Sequence, residues 1–275
     1  MYKFYKYHGA GNDFLLADNR SGSMSLSSEQ IRHLCARHTG FGADGVMLLE
    51  SGGSSAFRMV FYNPDGSGGM MCGNGGRCIV AFAADLGIVK PGEPIFFEAP
   101  DGLHQAKILS EGTIRLKMKD VTEIKRFAED GTIFIDTGTR HLVKFVSRLE
   151  EYPVLAEGRV LRNDPRFAPA GVNVNFVEPT LEDGQVVLNV RTFEKGVEDE
   201  TLACGTGIVA SALAAYSQGI VAKARPGESV SAAVKAAIAS LSVDFVPEEG
   251  GGGLSFHDVW LTGPTNFVGT LEIML

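Results

Sequence analysis

The chain has 275 residues, 44% of them hydrophobic and 21% charged, and a formal net charge of -8. That composition suits one large or two ordinary soluble domains, lacks the basic footprint that nucleic acid binding needs, and offers no apolar run near the roughly 20 residues of a membrane span. Four cysteines with no Cys-x-x-Cys pair do not make a disulfide framework. Residues 1–6 alternate like a strand rather than forming the apolar centre of a signal peptide, so a reduced cytoplasmic protein is expected.

In chain order, residues 2–7 and 14–17 read as strands around the turn Gly9-Ala10-Gly11-Asn12. Ser27-Ser28-Glu29-Gln30 predicts a capping box before a short helix with Ile31, Leu34 and Cys35 on one face. Strands are expected at 46–49 and 57–61, then a turn at Asn63-Pro64-Asp65-Gly66 and a helix following Cys72. Further strands are expected at 95–98, 103–109 and 114–118. The order then begins again. Strands at 132–135 and 142–146 flank a turn at Gly138-Thr139-Arg140, and a helix is expected near 154–161. Strands at 174–177 and 186–190 lead to an acidic loop, Glu198-Asp199-Glu200, and a helix following Cys204. The stretch 232–239 is ambiguous, because alanine favours helix while its flanks alternate. Alternation returns at Leu241, Val243 and Phe245, before a glycine loop at 250–253 and a strand at 259–261.

One phrase occurs twice. Cys72-Gly73-Asn74-Gly75 and Cys204-Gly205-Thr206-Gly207 each open an apolar segment, and each segment ends in Gly-Ile-Val, the glycine fifteen positions after the cysteine in both copies. Around these phrases, Gly11 to Leu16 answers Gly138 to Val143, and Val46 to Glu50 answers Val174 to Glu178. Same order, same helix and same exit argue for a duplicated α/β lobe. Each thiol then stands at a helix N-terminus, where unpaired N–H groups and the macrodipole favour negative charge. A free cysteine titrates near 8.5, leaving about 3% thiolate at pH 7, whereas helix N-termini bring the value to roughly 3.5–7.5. Two thiols at one small site resist double ionisation and so hold one proton between them. That is the state needed to remove a proton from one face of an α-carbon and return it to the other. The N–H groups at Gly73-Asn74 and Gly205-Thr206 could bind the substrate carboxylate and stabilise the charge that develops.

With these motifs in hand, the chain resembles the diaminopimelate epimerase family over nearly its whole length. The phrases that carry the resemblance are His8-Gly9-Ala10-Gly11-Asn12-Asp13-Phe14, Gly42-Ala43-Asp44-Gly45, Asn63-Pro64-Asp65-Gly66-Ser67, Cys72-Gly73-Asn74-Gly75-Gly76-Arg77-Cys78, Gly171-Val172-Asn173 and Ala203-Cys204-Gly205-Thr206-Gly207. The resemblance implies a cofactor-free, metal-free isomerase that converts LL- to meso-2,6-diaminopimelate for lysine and cell-wall synthesis. It implies an α/β (α+β roll) fold of two pseudo-symmetric lobes, each a curled, mostly antiparallel sheet around a central helix, in a homodimer. The lobes would be 1–118, completed by a C-terminal strand at 264–275, and 119–263. Cys72 and Cys204 would be the acid/base thiols. Asn12, Asn63, Gly73, Asn74, Asn173, Glu194, Lys195, Gly205 and Thr206 would bind substrate, with His141 and Glu194 tuning the thiols. The chain departs from the family at Thr139-Arg140, where asparagine-proline is common, at Lys195, where arginine is usual, and at Gly45, where some members have glutamine. Lysine loses the two-pronged carboxylate grip of arginine, and Arg140 is the residue that could compensate.

Blander readings apply to several of these residues. Cys35 and Cys78 lie among apolar helix positions and read as packing residues. His141 suits a hydrogen-bonded structural histidine as well as a tuning role, and asparagines in turns often serve only the backbone. No Gly-Lys-Ser/Thr follows Gly73-Asn74-Gly75, and no short Cys/His pairs suggest zinc. A proline or hydroxyproline racemase shares the two-cysteine design and is the nearest alternative function. Thiol redox chemistry and a non-catalytic amino acid binding protein are alternatives of other classes.

Overall fold

The computed structural model describes residues 1–69, 71–250 and 253–275, which divide into two compact units, Met1–Leu116 with Gly263–Leu275, and Lys117–Thr262. The first unit begins with β1 (Tyr2–Gly9) and β2 (Asn12–Asp18), an antiparallel hairpin closed through Ala10 and Gly11 at φ 56° and 92°. Two positive φ values in a two-residue loop match the right-handed twist of the flanking strands. Helix α1 (Ser28–Cys35) has the expected capping box, Ser27 and Gln30 bonding reciprocally, and buries Ile31, Leu34 and Cys35. There follow β3 (Gly45–Glu50), β4 (Phe57–Tyr62), α2 (Gly73–Asp85), β5 (Pro94–Ala99), β6 (Gly102–Ile108) and β7 (Ile114–Lys117). Strand β2 runs parallel to β3, β3 antiparallel to β4, β4 parallel to β5, and β5, β6 and β7 antiparallel in turn.

The second unit holds β8 (Ile124–Arg126), β9 (Ile133–Asp136), β10 (Arg140–Phe145), α3 (Val154–Arg162), β11 (Asn173–Glu182), β12 (Gln185–Glu194), β13 (Asp199–Thr201), α4 (Gly205–Ser217), β14 (Val230–Ala236), β15 (Ala239–Gly250) and β16 (Gly253–Gly263). Strand β17 (Asn266–Ile273) then pairs with β1 in the first unit. Each unit therefore has the same ladder. In the first the order is β17-β1-β2-β3-β4-β5-β6-β7, and in the second it is β8-β9-β10-β11-β12-β14-β15-β16. Parallel pairs fall at the same two places, β2–β3 with β4–β5 and β10–β11 with β12–β14.

Each mixed sheet curls around one helix. Helix α2 packs on β1, β2, β3 and β6, and α4 on β9 to β12, β14 and β15. Apolar side chains all round the helix suit burial on every side, and in α4 every residue except Thr206 is buried. The repeated Gly-Ile-Val is a helix stop of the Schellman type. Gly87 and Gly219 take φ 71° and 73°, Ile88 N–H and Ile220 N–H donate to Ala83 and Ala215, and the glycine N–H groups donate to Ala84 and Tyr216.

The structure corrects two local expectations and resolves one ambiguous stretch. Residues 199–201 form β13 rather than a loop, because Arg191 on β12 grips Glu200 with two bonds of 2.6 and 2.7 Å and neutralises it across the ladder. The stretch 232–239 is mostly β14, which buries Val230, Ala232 and Val234 between β12 and β15. Sheet pairing there overrides alanine's helix preference. The glycine loop at 250–253 is narrower than expected: β15 runs to Gly250 and β16 starts at Gly253, while 251–252 lie outside the described residues. Strand β8, three residues with one half-buried apolar side chain, carries no pattern to anticipate it.

Candidate active site

Both cysteines are N-caps. Cys72 has φ -118° and ψ 151°, extended backbone from which α2 starts, and its sulfur accepts the Gly75 N–H at 3.2 Å. Cys204 has φ -112° and ψ 109°, and its sulfur lies 3.4 Å from the Thr206 hydroxyl. Both thiols are half-buried, unlike Cys35 and Cys78, which are buried as packing residues. Burial pushes the Cys35 thiol up to about 11 and that of Cys78 higher still.

In the first unit a chain of polar side chains ends at α2. Arg37 bonds Asp44 at 2.8 Å, Asp44 accepts from Asn12 at 2.7 Å, and Asn12 accepts from Asn74 at 3.3 Å. Asn74 in turn accepts from Arg77 at 2.9 Å, and Arg77 also donates to the Gly73 carbonyl at 3.1 Å. Asp13, beside Asn12, is paired with Lys6 and Arg37. Burial would raise its pKa, but the two cations prevail and hold it below the ordinary carboxylate value. Asn12 and Asn74 are thus brought together with Cys72 and Gly73. Asn63 is not joined to them: its amide donates to Ser67 and Gly68 and holds the turn after β4.

In the second unit the equivalent chain is uncharged. His141, on β10, is fully buried and its pKa falls to about 3 because burial disfavours the cation. Thr192 donates to Asn175 Oδ1 at 2.9 Å, which leaves the Asn175 amide to donate to His141 Nδ1 at 3.0 Å. His141 Nε2 therefore carries the proton and faces Thr139 at 2.8 Å and Thr206 at 2.9 Å. Thr139 donates to Thr206 at 2.9 Å, so the Thr206 hydroxyl is left to face the Cys204 sulfur. His141, Thr206, Gly205 and Cys204 form one cluster. Asn173 instead fixes backbone, accepting from the Lys195 N–H at 2.9 Å and donating to the Arg140 carbonyl at 3.2 Å. Glu194 accepts from Thr201 at 2.9 Å, and Lys195 is exposed. The Arg140 guanidinium lies over Phe134 and Phe167 and donates to the Phe167 carbonyl.

Each unit's cluster holds a residue that was not anticipated from the sequence, Arg77 in the first and Asn175 in the second. Arg77 is the one charged side chain in α2 before Asp85, and Asn175 stands two places after Asn173 with Val174, Phe176 and Val177 as its apolar neighbours. A lone arginine in an apolar helix and an asparagine repeated with strand period were the available signals. Among the described residues no group of three or more His, Cys, Asp or Glu is arranged to hold a metal, and no helix is long and apolar enough to cross a membrane.

A family model described as diaminopimelate epimerase matches residues 4–124 and 133–238. The chain is 46% identical over 216 residues to the diaminopimelate epimerase of Chlorobaculum tepidum, covering 78% of this chain and 83% of the relative. It is 41% identical over 267 residues to that of Flavobacterium psychrophilum, covering 97% and 98%. Among solved structures, a phenazine biosynthesis protein of the PhzF family from Bacillus anthracis matches with TM-score 0.75 at 14% identity, covering 100% and 99%. A probable proline racemase from Agrobacterium radiobacter K84, solved with bound carbonate, matches with TM-score 0.66 at 17% identity, covering 100% and 93%. Likeness at such identities is likeness of fold.

Proposed function

This chain belongs to the diaminopimelate epimerase family and is an isomerase, and from that premise we propose that it interconverts LL- and meso-2,6-diaminopimelate by two-base chemistry through Cys72 and Cys204. One sulfur, as thiolate, takes the α-hydrogen and becomes a thiol. The electron pair released from the C–H bond spreads into the substrate carboxylate. The other sulfur, as thiol, gives its proton to the opposite face of the carbon and is left as thiolate. The reverse reaction exchanges the roles.

The observation that carries this reading is the pair of cysteine N-caps at the same point of two identical ladders. A thiolate there gains from the helix dipole, and at Cys72 also from the Gly75 N–H. The first-turn N–H groups of Gly73 and Asn74 and of Gly205 and Thr206 have no carbonyl four residues back within the helix, and they suit a carboxylate whose charge grows during proton removal. Asn12, Asn63, Asn173, Glu194 and Lys195 are proposed as further substrate contacts, and His141 and Glu194 as groups that tune the thiols. Lysine biosynthesis, a cytoplasmic location and a homodimer belong to the same proposal; four unbridged cysteines, two of them half-exposed, suit a reducing compartment. Proline racemase is the lesser reading, because the relatives at 41–46% identity are diaminopimelate epimerases.

The test is turnover of LL-diaminopimelate in D2O, against L-proline, by wild type, Cys72→Ala and Cys204→Ala. Inversion with deuterium uptake at the α-carbon is expected for diaminopimelate and wild type alone. Each alanine variant should lose at least about a thousandfold, consistent with general acid–base contributions. Inversion retained in either variant would contradict the two-base route.

A further inference from the structure

The strand registers let the two units be compared place by place. In the first, Phe14 pairs with Gly45, and Met47, two places further on, pairs with Phe61. In the second, His141 pairs with Asn173, and Asn175, two places further on, pairs with Thr192. His141, Asn175 and Thr192 thus stand where Phe14, Met47 and Phe61 stand in the first unit. Both trios lie under the third residue of the central helix, Met47 facing Gly75, and Asn175 with His141 facing Gly207. All six side chains are buried. The first trio shows that apolar side chains fill these places well, Phe14 meeting Phe61 edge-on with ring centroids 6.0 Å apart. A buried polar trio costs stability unless each group finds its partner. The ladder does not call for one here, so its use lies in what it does to the site above it.

The polar trio makes a directed chain. Asn175 Nδ2 faces both His141 Nδ1 at 3.0 Å and the Leu142 carbonyl at 3.5 Å. A carbonyl only accepts, so the amide nitrogen and not the amide oxygen belongs on that side. Thr192 secures the other side by donating to Asn175 Oδ1 at 2.9 Å. His141 Nδ1 must then accept. Burial alone lowers the histidine pKa to about 3, so its single proton sits on Nε2. Nε2 faces the hydroxyls of Thr139 and Thr206 at 2.8 and 2.9 Å. Thr139 donates to Thr206 at 2.9 Å, leaving the Thr206 hydrogen to face Cys204 Sγ, 3.4 Å away. In the other tautomer Nε2 would accept, and would draw a hydroxyl hydrogen away from the sulfur. A hydroxyl that donates to a thiolate favours it over the thiol.

We propose that Asn175, locked by Thr192, is a positioning residue of the reaction: it fixes the His141 tautomer that turns the Thr206 hydroxyl onto the Cys204 sulfur. The proposal rests on the two-thiol reading above and adds to it the groups that hold the second half-site in working form. Asn175 is fully buried and acts only through its neighbours.

The test joins two measurements on the substrate-free full-length protein. Nitrogen NMR with labelled histidine should show His141 protonated on Nε2 and bare on Nδ1 from pH 6 to pH 9. Alkylation by iodoacetamide between pH 5 and 10, read at each cysteine by peptide mass spectrometry, should then follow the chain. Asn175→Met, which places the first unit's residue there, should slow Cys204 about five-fold at pH 7, the size of one charge-assisted hydrogen bond, with no change at pH 10 and none at Cys72. Thr192→Val should act in the same direction, and Thr192→Ser, which keeps the hydroxyl, should retain the wild-type profile. An unmoved Cys204 midpoint in Asn175→Met and Thr192→Val would mean that the trio only packs the core, and would overturn the proposal. A wild-type His141 protonated on Nδ1 would overturn it as well, whether or not the variants fold. Neither measurement needs turnover, whereas failure of the two-thiol reading shows as inversion retained in Cys72→Ala or Cys204→Ala, so the two failures are told apart.

Discussion

Gly75 and Gly207 occupy the same position of the repeated phrase, the third residue of α2 and of α4, yet a methyl group would meet different neighbours at each. At Gly207 it would fall 2.2 Å from Asn175 Oδ1 and 3.3 Å from His141 Cε1. Asn175 is fully buried and cannot retreat without breaking its bonds to Thr192 and His141. Alanine gains about 1 kcal/mol over glycine within a helix, while each buried group deprived of its bond costs about 1–3 kcal/mol. With two bonds at stake, Gly207→Ala is expected to lose about 3 kcal/mol. At Gly75 the methyl group would meet Cys72 Sγ at 3.2 Å, Met47 Sδ at 3.4 Å and Met59 Cε at 3.6 Å. Methionine ends are mobile, so Gly75→Ala is expected to stay within about 1 kcal/mol of wild type. Urea unfolding followed by circular dichroism at pH 8 measures both variants. Equal stabilities would refute the reasoning, since only the rigid His141–Asn175 pair distinguishes the two sites.

Two further outcomes can be measured. His141 titrates near 3 when folded and near 6.5 when unfolded, so the unfolded chain binds the extra proton between those values. Stability then falls as pH drops below about 6.5, by about 2 kcal/mol at pH 5 from this group alone. His141→Asn should flatten the difference between pH 8 and pH 5 by that amount in urea titrations, and an unchanged slope would contradict a buried neutral imidazole. Asp44→Ala removes the carboxylate that accepts the Asn12 amide. It should raise KM for diaminopimelate about ten-fold by freeing Asn12, while stability falls by only about 1 kcal/mol because the Arg37–Asp44 pair is exposed. Steady-state kinetics read this directly, and an unmoved KM would detach Asn12 from the substrate.

Local chemistry was the most legible part of the sequence. The capping box at Ser27 and Gln30, the Gly87 and Gly219 helix stops and the turn at Ala10-Gly11 each depend on a few neighbouring residues, and each could be read before any tertiary contact was known. The duplication was legible for a related reason: the cysteine and glycine phrases that bound α2 and α4 are local signals repeated at equal spacing. What stayed hidden depends on partners distant in sequence. Glu200 belongs to a strand because Arg191 faces it, and 230–236 is a strand because β12 and β15 flank it. The role of Asn175 was hidden in the same way, being defined by Thr192 and His141 on neighbouring strands.

The divergence of the two half-sites has a consequence for turnover if both thiols act as proposed. After one inversion the sulfur that began as thiolate holds the proton and the other holds the charge, so the enzyme finishes in the opposite protonation state. It returns either by running the opposite conversion or by exchanging protons with water. The same logic explains a neutral second half-site. The Thr206 hydroxyl, held by Thr139 and an uncharged His141, can bond Cys204 as thiol or as thiolate, so that sulfur passes between its two forms without any neighbour having to titrate.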